Sequence, residues 1–204
     1  MSIRLAYAGP DPVVPGPKPG PRGRIVAIAR DLFYRHGIRA VGVDTIAAAA
    51  GTNKMTLYRH FPSKDLLIAE CLRDFALECE ADWKQVSSAH PDSPDGQLRA
   101  WVAYISVLMI KEADRGCALA NAAIELPDKD HPARRVIEEF KTAQRDQLVT
   151  WCRDAGFLEP DHLADELFLL LEGARVSIQS VGVNGPGARL DRMMRTIIDH
   201  HSRA

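Results

Sequence analysis

The chain has 204 residues, a formal net charge of −1, 46% apolar and 26% charged residues, the balance of a folded globular protein. No window approaches the roughly 18 uninterrupted apolar residues of a membrane span, and the Pro-rich start lacks the basic-then-apolar pattern of a signal peptide. Cys71, Cys79, Cys117 and Cys152 form no CxxC pair and no Cys/His array at zinc spacing, so reduced thiols in a cytoplasmic protein are expected, with no metal and no cofactor.

Residues 1–21 hold Pro10, Pro12, Pro15, Pro17, Pro19 and Pro21, which remove backbone donors and predict a disordered arm. Lys18, Arg22 and Arg24 close it with positive charge, suiting either a solvated tail or an arm for a minor groove. Ile25, Ile28, Ala29, Leu32 and Phe33 recur at helical spacing and predict helix 1 over about 22–36, stopped by Gly37. Helix 2 is expected over about 43–50, with Ile46, Ala47 and Ala50 inward and Gly51 in the turn. Helix 3 follows Asn53, a good N-cap, and ends near residue 60. Ser63 caps a long helix 4 to about residue 87.

HPDSPDG at 90–96 reads as a loop. Helix 5 is expected over about 95–114, helix 6 over about 117–126 and helix 7 over about 133–155. Helix 8 then spans about 161–181, and NGPG leads into helix 9 at about 188–202. No strand pattern appears. The fold class is all-α, with about nine helices.

Charge is unevenly shared. From Lys18 to Lys64 nine Lys/Arg face two acids, a surplus of seven, whereas residues 65–204 carry 16 Lys/Arg and 24 acids, a deficit of eight. A basic N-terminal quarter on an acidic remainder confines any polyanion-binding surface to one end. The short turn between helices 2 and 3, and the small Ala47–Ala50 run, let helix 3 pack across helix 2 as in a helix-turn-helix. The start of helix 3 then projects Thr52, Asn53, Lys54, Met55 and Thr56. Lys54 has the donors for guanine O6 and N7, Met55 and the Thr56 methyl suit a thymine methyl, and the Thr56 hydroxyl suits a base or a phosphate. Tyr58, Arg59, His60 and Lys64 form a surrounding ring for phosphates, while Leu57 and Phe61 turn inward.

Ile46-Ala47, Ala50-Gly51, Thr56-Leu57-Tyr58, Phe61 and Ser63-Lys64 together resemble the DNA-binding domain of TetR-family transcriptional regulators. The resemblance covers about a fifth of the chain. It implies an N-terminal helix-turn-helix domain (22–66) and a larger helical domain (67–204) for ligand binding and dimerisation. It also implies that Lys54, Met55 and Thr56 read bases of a double-stranded operator, while Tyr58, His60 and Lys64 hold phosphates. Two positions depart from the family pattern. Val41-Gly42 stands where Thr or Ser often caps helix 2, and Met55 stands where Gly or Ala is usual.

In the larger domain, a mostly apolar effector pocket with a few polar anchors would draw on Trp101, Tyr104 and Leu108 of helix 5, Asn121 of helix 6, Trp151 of helix 7, and Phe168, Glu172 and Arg175 of helix 8. Glu172 and Arg175 stand three apart and suit a pair on one face. Ordinary core packing is the other reading of these residues. Cys117 at the start of helix 6, beside Arg115, is either a redox-sensitive thiol or a buried inert one. Leu163, Leu167, Leu170 and Ala174 form a stripe on helix 8, and Leu190, Met193, Met194, Ile197 and Ile198 form one on helix 9. These stripes suit either a homodimer interface or the protomer's own core. His200-His201 are expected at a fraying terminus. No GxSxG, Walker loop or HExxH is present, so no catalytic set is expected.

The function expected is a ligand-responsive repressor that binds a palindromic operator as a dimer and is released by a small molecule. A redox-gated regulator working through Cys117 and a helical module that never meets DNA are the alternatives.

Overall fold

Apolar spacing of three and four residues organises the chain into helices, seen in a computed structural model that describes residues 20–111 and 115–203. The expected N-terminal arm lies, up to residue 19, outside the described residues, and so do positions 112–114 at the expected end of helix 5. Pro21, counted with the arm by composition, is instead the first residue of α1, where its fixed φ suits a helix start.

The helices are α1 (Pro21–His36), α2 (Val43–Ala49), α3 (Lys54–His60), α4 (Lys64–Ser88), α5 (Pro94–Lys111), α6 (Ala118–Glu125), α7 (Pro132–Asp154), α8 (Pro160–Val181) and α9 (Leu190–His200). The start expected for helix 9 is a separate 3-10 turn, Pro186–Arg189, because Pro186 opens it and Gly185 breaks the chain before it. The protein is all-α, an N-terminal helix-turn-helix followed by a helical C-terminal domain. Among the described residues no helix is long and apolar enough to cross a membrane.

The helices group into two compact units that do not follow chain order. The first takes the chain to Glu78 together with Cys117–Glu138, and the second takes Cys79–Gly116 and Glu139 onward. In the first, Ile25, Ala29, Ile46, Leu57, Phe61 and Leu67 make the core, with Ile25, Ile46, Leu57 and Leu67 fully buried. Each such side chain stabilises the fold by roughly 1.5–3 kcal/mol relative to exposure. Arg22 donates to Glu70 at 2.6 Å and lies over the Phe61 ring, so this residue of the expected basic arm fastens α1 to α4. Arg30 adds bonds to Asp74 and, at 2.5–2.8 Å, to Glu78.

Segment 117–138 joins this unit through defined polar contacts. The Glu125 carboxylate accepts from the backbone N–H of Ile38 at 2.7 Å and of Arg39 at 3.3 Å, and Arg39 Nε donates back to the Glu125 carbonyl at 3.1 Å. Gly37 has φ +85°, and a Cβ there would stand 3.2 Å from Glu125 Oε2, so glycine suits both the backbone and the close approach. His131 Nε2 lies 3.3 Å from Asp65.

In the second unit α8 packs on α9, and α5 on α9. Leu163, Leu167, Ala174, Leu190, Met194 and Ile198 are buried within it. Most of the two stripes considered for a dimer therefore build the protomer's own core. The solvent-facing large apolar side chains of these two helices are Leu169, Val176 and, at its last residue, Val181 of α8, and Met193 of α9. The terminus is not frayed through residue 203. Leu158 N–H donates to Ser202 O at 3.1 Å, Phe157 bridges Arg203, and His201 Nε2 sits 2.9 Å from Glu166.

Candidate nucleic-acid interface

Three helices, α1 to α3, place the exposed edge at the start of α3. Gly51 takes φ +63° between α2 and α3, a conformation an L side chain adopts only with strain, and Thr52 N–H returns to Ala47 O at 2.9 Å. The Asn53 side chain then accepts from Thr56 N–H at 2.9 Å and starts α3. Leu57 is fully buried, which fixes the rotation of the helix about its axis. With Leu57 inward, the first turn faces out. Met55 is 75% exposed and Thr56 half-buried. Tyr58, Arg59 and His60 are all exposed.

Lys54 is exposed but not free-standing. Its Nζ lies 3.0 Å from Asp44 Oδ2 on α2. That hydrogen bond, with the attraction of the carboxylate, raises the ammonium above its ordinary pKa. Lys64 makes contacts within the protein that the sequence did not indicate. Its Nζ donates to the Ile38 carbonyl at 2.7 Å and lies over the Phe33 ring. Burial lowers its pKa against the opposing pull of Asp65 and Glu125. Its bond holds the turn between α1 and α2, the same turn whose N–H groups donate to Glu125. No sequence pattern announced Glu125 in that role, since it lies 87 positions from Ile38.

The expected effector residues are divided between the two compact units. Asn121 falls in the first compact unit; Trp101, Tyr104, Leu108, Trp151, Phe168, Glu172 and Arg175 fall in the second. Within the second, Trp101 and Trp151 are buried with ring centroids 6.4 Å apart. Tyr104, the one hydroxyl expected to meet a ligand, donates to Asp82 at 2.6 Å. Glu172 pairs with Arg175 as the spacing indicates, and also accepts from Lys141 at 2.7 Å, whose ammonium lies over Phe168. Burial pushes the Glu172 carboxyl up, but Arg175 and Lys141 outweigh it and hold the group below the usual range. Leu108 is half-buried.

A cleft of about 310 Å³ opens between α4 and α7, lined by Glu80, Trp83, Lys84, Ser87, Ala143, Gln147 and Trp151. Of the expected effector residues only Trp151 reaches it. Sequence reasoning also missed buried polar atoms without a hydrogen-bond partner, among them Ser106 Oγ on α5 and Gln144 Oε1 on α7. In an amphipathic pattern such residues look like surface positions, so nothing marked them. Cys117 is buried, 8% exposed. Among the described residues no group of His, Cys, Asp and Glu is arranged to hold a metal ion.

A family model described as bacterial regulatory proteins, tetR family, matches residues 25–71. The chain is 37% identical over 76 residues to the HTH-type transcriptional repressor KstR2 of Rhodococcus jostii, a stretch covering 37% of each protein. It is 24% identical over 160 residues to the HTH-type transcriptional repressor DhaR of a Mycobacterium species, covering 75% of this chain and 79% of the relative. The crystal structure of SCO4454, a TetR-family transcriptional regulator from Streptomyces coelicolor, superposes with a TM-score of 0.77 at 28% identity. That superposition covers 88% of this chain and 92% of the other.

Proposed function

The chain belongs to the TetR family of transcriptional regulators, and from that premise we propose a ligand-responsive repressor that binds a palindromic operator as a homodimer. A small, largely apolar molecule releases it. One observation carries the DNA-reading part. With Leu57 fully buried, the first turn of α3 presents Lys54, Met55 and Thr56 away from the core, on a rod that fits the major groove. In this reading residues 22–66 form the DNA-binding domain, and Tyr58, His60 and the remaining donors of Lys64 meet phosphates. Its DNA partner makes the cytoplasm its place of work.

The relatives named as repressors supply the sign of regulation. The body, 67–204, serves as the ligand-binding and dimerisation domain. Its effector contacts come from the aromatic interior around Trp101 and Trp151 and the charged cluster of Glu172, Arg175 and Lys141. Leu108, Phe168 and Asn121 stay as secondary candidates, and the Tyr104 hydroxyl would need to leave Asp82 to take part. Dimerisation through α8 and α9 uses the exposed stripe of Leu169, Gly173 and Val176 with Met193, since the buried stripe is already occupied. Two heads then read two half-sites roughly 34 Å apart. A ligand releases DNA only to the extent that it prefers one of two conformations. Glu125, holding Ile38 and Arg39, offers a route by which a shift of α6 reaches the reading head. Burial of Cys117 argues against the redox-gated alternative, because a sensing thiol needs access to its oxidant.

A mobility-shift screen of DNA neighbouring the protein's own gene, repeated with candidate apolar compounds, tests this. Retarded DNA released by one compound is the expected result. Retardation that no compound reverses would leave the repressor without its effector, and no retardation would contradict the DNA reading.

A further inference from the structure

Asp44 is an acid on a surface that has to approach a polyanion. It sits in the first turn of α2, is 73% exposed at its side chain, and meets the Lys54 ammonium at 3.0 Å. Only one other acid, Asp31, lies between Lys18 and Lys64. An exposed ion pair of this kind contributes roughly 0–1 kcal/mol to folding. Helix capping does not explain the residue either, since the N-cap of α2 is Gly42 and no side-chain cap bond is made there. The pair joins α2 to the first residue of α3, and Lys54 is the one charged side chain among the three that face the bases.

We infer that Asp44 is a specificity-determining residue, one that makes the Lys54 contact conditional on a guanine and weakens binding to DNA that lacks it. The inference rests on the proposed DNA-reading function. A lysine ammonium has three donors. With one held by Asp44, two remain, matching the two major-groove acceptors of guanine, O6 and N7. At a guanine, therefore, the ion pair stays closed and Lys54 makes its full set of bonds. At a phosphate the closed pair carries no net charge, releases no counterion and brings a carboxylate against the backbone. Opening the pair would free Lys54 but leave Asp44 facing the same anion. Asp44 thus penalises non-specific binding more than specific binding, the difference on which discrimination depends.

The test uses the full chain, a duplex enriched from a random pool by the wild-type protein, and a scrambled duplex of equal length. Affinities are read by fluorescence anisotropy across a salt series for wild type, Asp44→Asn, Lys54→Ala, the double variant and Asp31→Asn. Asp31 is bonded to Arg35 on α1, and its variant removes the same charge from the same unit. Asp44→Asn is expected to tighten the scrambled duplex several-fold and to change the enriched duplex less. The affinity ratio should fall about tenfold, and the salt slope on the scrambled duplex should steepen by about 1 per subunit. In the Lys54→Ala background, Asp44→Asn should leave the ratio unchanged, a non-additive cycle. Equal tightening on both duplexes, or the same ratio loss in Asp31→Asn, overturns the inference while leaving the DNA-reading function standing. Failure of the wild-type protein to enrich any duplex overturns both.

Discussion

Glu125, the last residue of α6, accepts the backbone N–H of Ile38 at 2.7 Å, while Lys64 on α4 donates to the carbonyl of the same Ile38 at 2.7 Å. The turn that positions α2 is thereby held at both its donor and its acceptor. Replacing Glu125 by Ala strands the part-buried N–H of Ile38 and leaves the exposed one of Arg39 to water, at a cost of about 1–3 kcal/mol. Glu125→Gln keeps an acceptor and should lose less than half of that. Urea unfolding of the two variants checks the order. Equal stability of wild type and Glu125→Ala would show the clasp to be idle.

One short helix should give opposite results at neighbouring positions. Leu57→Ala opens a cavity beneath α3 and should destabilise the protein by about 2–5 kcal/mol. Met55→Ala, at a residue 75% exposed, should stay within about 0.5 kcal/mol of wild type yet alter the base preference of the enriched DNA. Thermal melts beside a repeated selection experiment separate the two. If Met55→Ala enriches the same sequence as wild type, Met55 does not face the bases.

The start of α3 was legible because its determinants are local. Asn53 caps, Gly51 turns, and the spacing of Leu57 and Phe61 sets the inward face, all within ten or so positions. Lys64 was legible as a cation but not as the partner of Ile38, and nothing local marked Glu125 as the acceptor of the Ile38 N–H. Both depend on contacts between distant parts of the chain, which periodicity does not encode. The stripes of α8 and α9 show another limit. Hydrophobicity marked Leu163 and Leu167 as inward-facing without saying whether the neighbour was the same chain or a second copy.

That distinction has its own test. Leu169 and Val176 are 69% and 62% exposed on α8. Leu169→Glu with Val176→Glu should leave a folded protein that sediments as a monomer and binds a full palindrome far more weakly than wild type. Leu167→Glu, at a fully buried site, should unfold it instead. A folded dimer from the double variant would move the interface elsewhere.

Acid should weaken the α7–α8 cluster in a defined direction. Burial raises the Glu172 pKa, but Arg175 and Lys141 hold it below its unfolded value, which is about 4.3. A group depressed in the folded state stabilises it above the unfolded pKa, and that contribution is lost as pH falls through the folded pKa. Glu172→Gln should therefore be less stable than wild type at neutral pH by about 1–3 kcal/mol, with the gap closing below about pH 4. A gap that stays constant down to pH 3 would assign the loss to packing rather than charge.

Methylation interference on a duplex enriched by the protein tests most directly whether the first turn of α3 lies in the major groove. Methyl groups on guanine N7 line that groove, and should block binding in two patches about one helical turn apart, with the effect of the guanine under Lys54 lost in Lys54→Ala. Binding indifferent to N7 methylation, or blocked only by minor-groove modification, would contradict it.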